Sequence, residues 1–185
     1  RGLGIAGYTL NSPKENRFLR QRHELLAEVD VLLAGRASEE VFLREITDGA
    51  GNDLERATDI IKFMVSRVGM SDVVGLSVLE KQQSLFLNGG QSIKDYSEET
   101  AVKIDNYVRD TLDKHYKAVK ETLSLYGGAI EEIVEALYEK ETIEGEKVRE
   151  IIEKFEQKNG LPSRLVNNPS NDEDIKNAKN ADAKA

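Results

Sequence analysis

The sequence contains no cysteine and only two histidines, and both shortages limit the chemistry it can perform. Without cysteine the chain forms neither disulfides nor thiolate zinc sites, which fits a reducing compartment. With only His23 and His115, it cannot build a histidine-rich metal site by itself. Any metal bound by this chain must therefore use His, Asp or Glu ligands.

Long apolar runs and excess positive charge are also missing. No stretch approaches the roughly 20 consecutive apolar residues that a membrane-spanning helix requires. The formal net charge of -8 argues against the clustered Lys and Arg of a nucleic-acid-binding surface. Hydrophobic residues make up 39% of the chain and charged residues 32%, which is typical of a soluble, mostly helical protein that can bury a core. We therefore expect no nucleic-acid partner.

Apolar residues recur at three- and four-residue steps along most of the chain, which predicts a mainly α fold. The predicted helices begin near His23, Ser38, Asn52, Ser97, Ile130 and Val148. Gly35 is a plausible C-terminal cap for the first of these helices. The helix from Ser97 is the longest and ends near Gly127 and Gly128, and the last two helices resemble a helical hairpin. Between Gly69 and Leu87 the pattern indicates loops or short strands.

The two ends of the chain lack helical periodicity. Residues 1–11 carry three glycines among apolar residues, which predicts a strand-like segment. From Asn167 the composition turns to Asn, Asp, Lys and Ala, which cannot offset the entropy of ordering. We therefore expect one domain over residues 1–166 and a disordered tail over residues 167–185. Because Arg1 follows neither an initiator Met nor a signal peptide, we expect a piece of a longer protein.

Asp53 lies where the helical pattern calls for an apolar residue, four positions before Ala57 on the apolar stripe. One interpretation is that it is a first-turn acid that favours the helix dipole, beside an Asn52–Glu55 capping box. The other is that its inward carboxylate meets a metal ion or a cationic partner, since an unpaired inward acid is costly. The residues alone favour the first interpretation and leave the second open.

The other candidates have ordinary explanations. His23 begins a sequence like the zinc-binding His-Glu-x-x-His helix, but the second histidine is replaced by Ala27, so an exposed first-turn residue is expected. His115 lies one step off an apolar stripe and is expected to be packed or half-exposed. Glu39 and Glu40 are expected to be first-turn partners of a helix dipole, and on their own they are weak evidence for acid–base catalysis.

Five ordered blocks between residues 34 and 145 carry a specific resemblance. They are residues 34–40, 47–58, 64–71, 96–105 and 141–145. Together they resemble the peptidase domain of FtsH-type membrane-anchored, ATP-dependent zinc metalloproteases, whose corresponding blocks include Gly-Gly-Arg-Ala-Ala-Glu-Glu and Thr-Thr-Gly-Ala-x-Asn-Asp-Leu. The chain departs from the family pattern at Asp48, Gly51 and Tyr107, none of which is a metal ligand in the family.

The resemblance implies a role for Asp53. In the family, zinc is held by two histidines of a His-Glu-Ala-Gly-His helix and by the aspartate that matches Asp53, and the glutamate of that helix activates water. We expect that helix upstream of Arg1, so that this chain alone is inactive and one zinc ion is bound per subunit of the intact domain. Gly7, Tyr8 and Thr9 match a region that in zincins supplies an edge strand for the substrate backbone.

The resemblance also implies the setting of the parent protein. We expect an ATPase domain that uses ATP and Mg²⁺, a membrane anchor outside this chain, and a homohexamer that degrades membrane and misfolded proteins. The expected location is the inner or plasma membrane with the protease domain on the cytoplasmic side, or an equivalent organelle membrane. The alternative is a non-catalytic, protease-like helical module for ring assembly, in which Asp53 only caps its helix.

Overall fold

The computed structural model describes residues 19–82, 92–94 and 96–163. These residues form α1 (Arg22–Ser38), a π-helical turn (Glu39–Leu43), a 3-10 turn (Asp48–Ala50), α2 (Gly51–Ser66), β1 (Glu80–Gln82), β2 (Ser92–Lys94), α3 (Glu98–Leu125), α4 (Gly127–Lys140) and α5 (Gly145–Asn159). The predicted mainly α fold is confirmed, including the long helix and the C-terminal hairpin. The predicted strand-like segment at residues 1–11 and the tail at residues 167–185 lie outside the described residues.

The only strands in the described part of the chain are β1 and β2, which pair antiparallel with Lys81 opposite Ile93. β1 lies in the region between Gly69 and Leu87 for which loops or short strands were predicted, whereas β2 lies beyond it. None of the described helices is long and apolar enough to cross a bilayer.

The chain divides into two compact units. Unit 1 comprises the chain up to Gly35 and the segment Asp48–His115. Unit 2 comprises the segment Arg36–Thr47 and the chain from Tyr116 onward. The buried apolar side chains of unit 1 come mainly from α1, α2 and the first half of α3, namely Leu25, Val29, Leu32, Leu33, Ala57, Ile61, Met64, Val65, Ile104 and Val108. The spacing of these residues along each helix is the apolar stripe seen in the sequence.

The core of unit 2 includes the α4–α5 hairpin. Its buried apolar residues are Ala37, Val119, Ala129 and Ile151. The rings of Tyr126 and Phe155 pack with their centroids 5.8 Å apart, and the Tyr126 hydroxyl donates a hydrogen bond of 2.8 Å to Oε1 of buried Glu156. These contacts fix the start of α4 against α5.

Two predicted helix ends are wrong. Gly35 does not cap α1, because the helix continues to Ser38 and the left-handed residue that ends the following π-helical turn is Arg44, with φ of 57°. Asn52 is not an N-cap, because the 3-10 turn runs directly into α2 and the capping position is Ala50, which makes no side-chain cap. The predicted start at Ser97 is confirmed, since its Oγ accepts a 3.3 Å hydrogen bond from the Thr100 N–H.

Replacing Gly128 by alanine tests the packing of the hairpin. A Cβ at Gly128 would lie 2.9 Å from Cε2 of Phe155, whereas one at Gly127 would lie an ordinary 3.7 Å from Phe42. Alanine is otherwise favoured over glycine in a helix by up to about 1 kcal/mol. We expect the free energy of unfolding of Gly127→Ala, measured in urea, to equal or exceed that of the unsubstituted chain. We expect the free energy of unfolding of Gly128→Ala to be lower than that of Gly127→Ala, because the Phe155 ring must move. Equal stability of the two variants would contradict this packing.

Candidate metal centre

Asp53 is held in the first turn of α2, the turn that follows the 3-10 helix. Its side chain is half-buried, and the next residues on its side of the helix, Ala57 and Ile61, are fully buried. Within the described ranges, no residue makes a hydrogen bond or ion pair with its carboxylate. The structure therefore presents a half-buried carboxylate at the start of a firmly packed helix.

Asp53 has no second or third ligand among the residues that the structure describes. Across those ranges, no group of three His, Asp or Glu side chains could hold a metal ion. His23 is exposed on α1, as predicted. A metal at Asp53 would therefore need donors from elsewhere in the protein.

His115 has a structural partner in unit 1. Its Nδ1 lies 2.6 Å from Oδ1 of Asp30, so that the pair links α3 to α1. The imidazole is half-buried, as the sequence predicted. This contact occupies one ring nitrogen and agrees with a packing role.

The acids after α1 are both occupied, within unit 2. The Glu39 carboxylate accepts hydrogen bonds from the Thr47 N–H at 3.2 Å and from its hydroxyl at 2.5 Å. These bonds, and to a lesser extent the charge of Arg36, hold the pKa of Glu39 below its ordinary value. Glu39 thus closes the loop between residues 39 and 47, a role that the sequence did not indicate.

Glu40 is the centre of a second network in unit 2. Its carboxylate accepts hydrogen bonds from Lys120 Nζ and, at 2.6 Å, from the Tyr116 hydroxyl, and these bonds lower the pKa of Glu40. Burial, reinforced by the bond to Glu40, raises the pKa of Tyr116 to about 12. A general acid or base works best with a pKa near the operating pH, so the lowered pKa of Glu40 suits it to tying the π-helical turn to α3 rather than to proton transfer.

Gly7, Tyr8 and Thr9, the predicted substrate-binding residues, lie outside the described residues.

The Glu40 network makes stability depend on pH. Because the folded-state pKa of Glu40 is depressed, its contribution is present above the ordinary carboxyl pKa and is lost as the pH falls through the lowered value. We expect Glu40→Gln to lower the free energy of unfolding near neutral pH and to weaken its decline between about pH 5 and 3, measured by urea denaturation. Glu121→Gln, at an exposed acid of α3, is the matched control. The same pH slope in both variants would rule out the network as its source.

Comparison with known proteins places the chain in a family. The sequence profile of Peptidase family M41 matches residues 1–151. Relatives named ATP-dependent zinc metalloprotease FtsH match most of the chain, and three of them show the degree of identity and coverage. The one from Helicobacter pylori (strain ATCC 700392 / 26695) is 58% identical over 167 residues, which cover 90% of this chain and 26% of the relative. The one from Sulfurovum sp. (strain NBC37-1) is 54% identical over 185 residues, which cover 100% of this chain and 27% of the relative.

The relative from Thermotoga maritima is 44% identical over 162 residues, covering 85% of this chain and 26% of the relative. The chain thus spans about a quarter of the length of these relatives. The family profile covers most of the chain and includes all five blocks noted in the sequence. The chain belongs to Peptidase family M41, the family of the FtsH zinc metalloproteases.

Proposed function

We propose that this chain is part of the proteolytic domain of an ATP-dependent zinc metalloendopeptidase and that it supplies Asp53 as one of the zinc ligands. The observation that carries the proposal is the half-buried, unpartnered Asp53 carboxylate among the described residues of a chain that belongs to Peptidase family M41. The names of the relatives support the proteolytic activity, and the position of Asp53 supports its assignment as a zinc ligand.

Asp53 fits zinc by its chemistry. Zinc in proteins accepts a carboxylate oxygen beside histidine nitrogens, and a catalytic zinc uses three protein ligands and an open position. An acid in the first turn of a helix is favoured by the helix dipole, which is consistent with the position of Asp53 in α2. The other two ligands are the histidines of the His-Glu-Ala-Gly-His helix expected outside this chain, whose glutamate acts on water.

Zinc, when bound, supplies polarisation of the scissile carbonyl and a lowered pKa for water. The role of this chain is to hold Asp53 in place, because the buried side chains of Ala57, Ile61 and Met64 fix the position of α2. We also propose that Gly7, Tyr8 and Thr9, which lie outside the described residues, take part in substrate binding.

The parent protein, in this proposal, is a membrane-anchored homohexamer that binds one zinc ion per subunit and uses ATP and Mg²⁺ in a separate ATPase domain. Its substrates are membrane and misfolded polypeptides, and its protease domain lies on the cytoplasmic side of a bacterial inner or plasma membrane, or in the equivalent organelle setting. The support for this setting is the resemblance of the five sequence blocks.

The Asp53→Asn substitution in the full-length parent protein tests the ligand assignment. It keeps the side-chain shape but removes the charge that zinc requires. We expect zinc affinity to fall by at least about tenfold, since even residues that only orient zinc ligands cost that much. Hydrolysis of a fluorescently labelled unfolded polypeptide should fall with it, while ATP hydrolysis persists as evidence of folding. Zinc content is measured by elemental analysis.

Asp59→Asn is the matched control, because Asp59 is an exposed acid on the same helix. We expect this variant to retain zinc and activity. Zinc retention by Asp53→Asn at the level of the control would refute the ligand role. A wild-type parent protein that purifies without zinc and cannot be loaded with it would favour the non-catalytic module for ring assembly.

A further inference from the structure

A cavity of about 400 Å³ lies in unit 1, beside the loop that follows α2. Its walls are formed by Arg22, the first residue of α1, and by residues 69–72 and 75–76 of the loop. Small-molecule sites in proteins have volumes of roughly 300–1,000 Å³, so this cavity is the size of a site for a small ligand. Asp53 does not line it, and the candidate metal centre does not account for it.

The loop around the cavity is fixed at both ends to the last turn of α2. The Met70 N–H donates a hydrogen bond of 2.8 Å to the Met64 carbonyl, and the Leu79 N–H donates one of 2.8 Å to the Ser66 carbonyl. Gly69 has a φ of 61°, and a Cβ at this position would lie 3.3 Å from the backbone on the opposite side of the loop. Glycine therefore lets the two sides of the loop approach each other, and the wall of the cavity is formed in advance, as in most ligand sites.

Two side chains of opposite charge line the cavity without pairing. In the part of the chain that the structure describes, neither Arg22 nor Asp72 forms an ion pair. The Arg22 guanidinium donates one long hydrogen bond, of 3.5 Å, to the Tyr107 hydroxyl, so most of its five N–H donors are unused. A ligand that carries both an anionic and a cationic group would give each of these side chains a partner.

The rest of the wall offers a hydroxyl and apolar surface. Ser71 is 5% exposed, and its Oγ has no hydrogen-bond partner among the described residues. An unpaired buried hydroxyl is costly, and a carboxylate beside Arg22 becomes an acceptor for it after a rotation about χ1. Met70 and Leu76 supply the apolar surface, and Leu76 is 95% exposed. A ligand that covers Leu76 therefore removes apolar area from water.

We propose that this cavity binds a small zwitterion with an apolar side chain, such as an apolar amino acid or a dipeptide of such residues. The Arg22 guanidinium donates paired hydrogen bonds to the ligand carboxylate. The Asp72 carboxylate accepts hydrogen bonds from the ligand ammonium group, and the ligand side chain packs against Met70 and Leu76. A simple anion such as phosphate is disfavoured, because the charge of Asp72 opposes it. The proposal does not depend on Asp53 or on zinc.

The test is isothermal titration calorimetry of the full-length parent protein with L-leucine and with the dipeptide Leu-Leu. N-acetyl-L-leucine, which lacks the ammonium group, and L-leucine methyl ester, which lacks the carboxylate, are the matched ligands. We expect saturable binding of a zwitterion, and binding of both blocked compounds that is weaker by at least about tenfold. The tighter of the two zwitterions identifies the source of the ligand. Binding of neither zwitterion at up to about 10 mM, or equal binding of the blocked compounds, would overturn the proposal.

Variants locate the binding site. Arg22→Gln should weaken zwitterion binding at least about tenfold and remove the preference for L-leucine over its methyl ester. Asp72→Asn should weaken binding similarly and remove the preference over N-acetyl-L-leucine. The matched controls are Arg109→Gln and Asp59→Asn, at exposed residues of α3 and α2, and both should bind like the unsubstituted protein. Unchanged binding in Arg22→Gln and Asp72→Asn, or an equal loss in the controls, would place the ligand elsewhere and overturn the proposal.

Discussion

The buried face of α2 is the constraint on which the candidate site depends. Ala57, Ile61, Met64 and Val65 are all 0% exposed, so the rotation of this helix about its axis is fixed by close packing. Asp53 lies one turn before Ala57 and is fixed with it. The ion pair between Arg56 and Glu28 joins α2 to α1 at the surface, where such pairs contribute about 0–1 kcal/mol. Packing rather than surface charge therefore sets the position of the carboxylate.

The spacing of apolar residues predicted where the helices lie but not where every helix begins and ends. The apolar stripe that starts at Ala57 identified α2 and its buried side, because periodicity reports burial directly. Helix ends depend on φ values and turns that the pattern does not encode. Gly35 thus stays inside α1, and Asn52 becomes the second residue of α2 because a 3-10 turn precedes it. The capping explanation of Asn52 fails, although Asp53 keeps its first-turn position.

Contacts between distant residues were beyond sequence reasoning. Glu40 meets Tyr116 and Lys120 across 76 and 80 positions, and only the i, i+4 spacing of those two on α3 hinted that they share a partner. Glu39 and Thr47 form a shorter closure that no helical pattern contains. Glu39 and Glu40 were expected to be partners of a helix dipole, and the structure shows that each carboxylate binds specific residues. The proposal that Asp53 binds zinc comes from the ordered sequence blocks, since the described residues contain no group of three side chains that could hold a metal ion.

The most direct measurement is a crystal structure of the parent peptidase domain with anomalous diffraction data collected at the zinc absorption edge. The account predicts a zinc peak bonded to a carboxylate oxygen of Asp53 at about 2.0–2.2 Å, with two histidines completing the protein ligands. A zinc peak whose protein ligands are all other residues, with the Asp53 carboxylate bonded only to the N–H groups of its own helix, would contradict it.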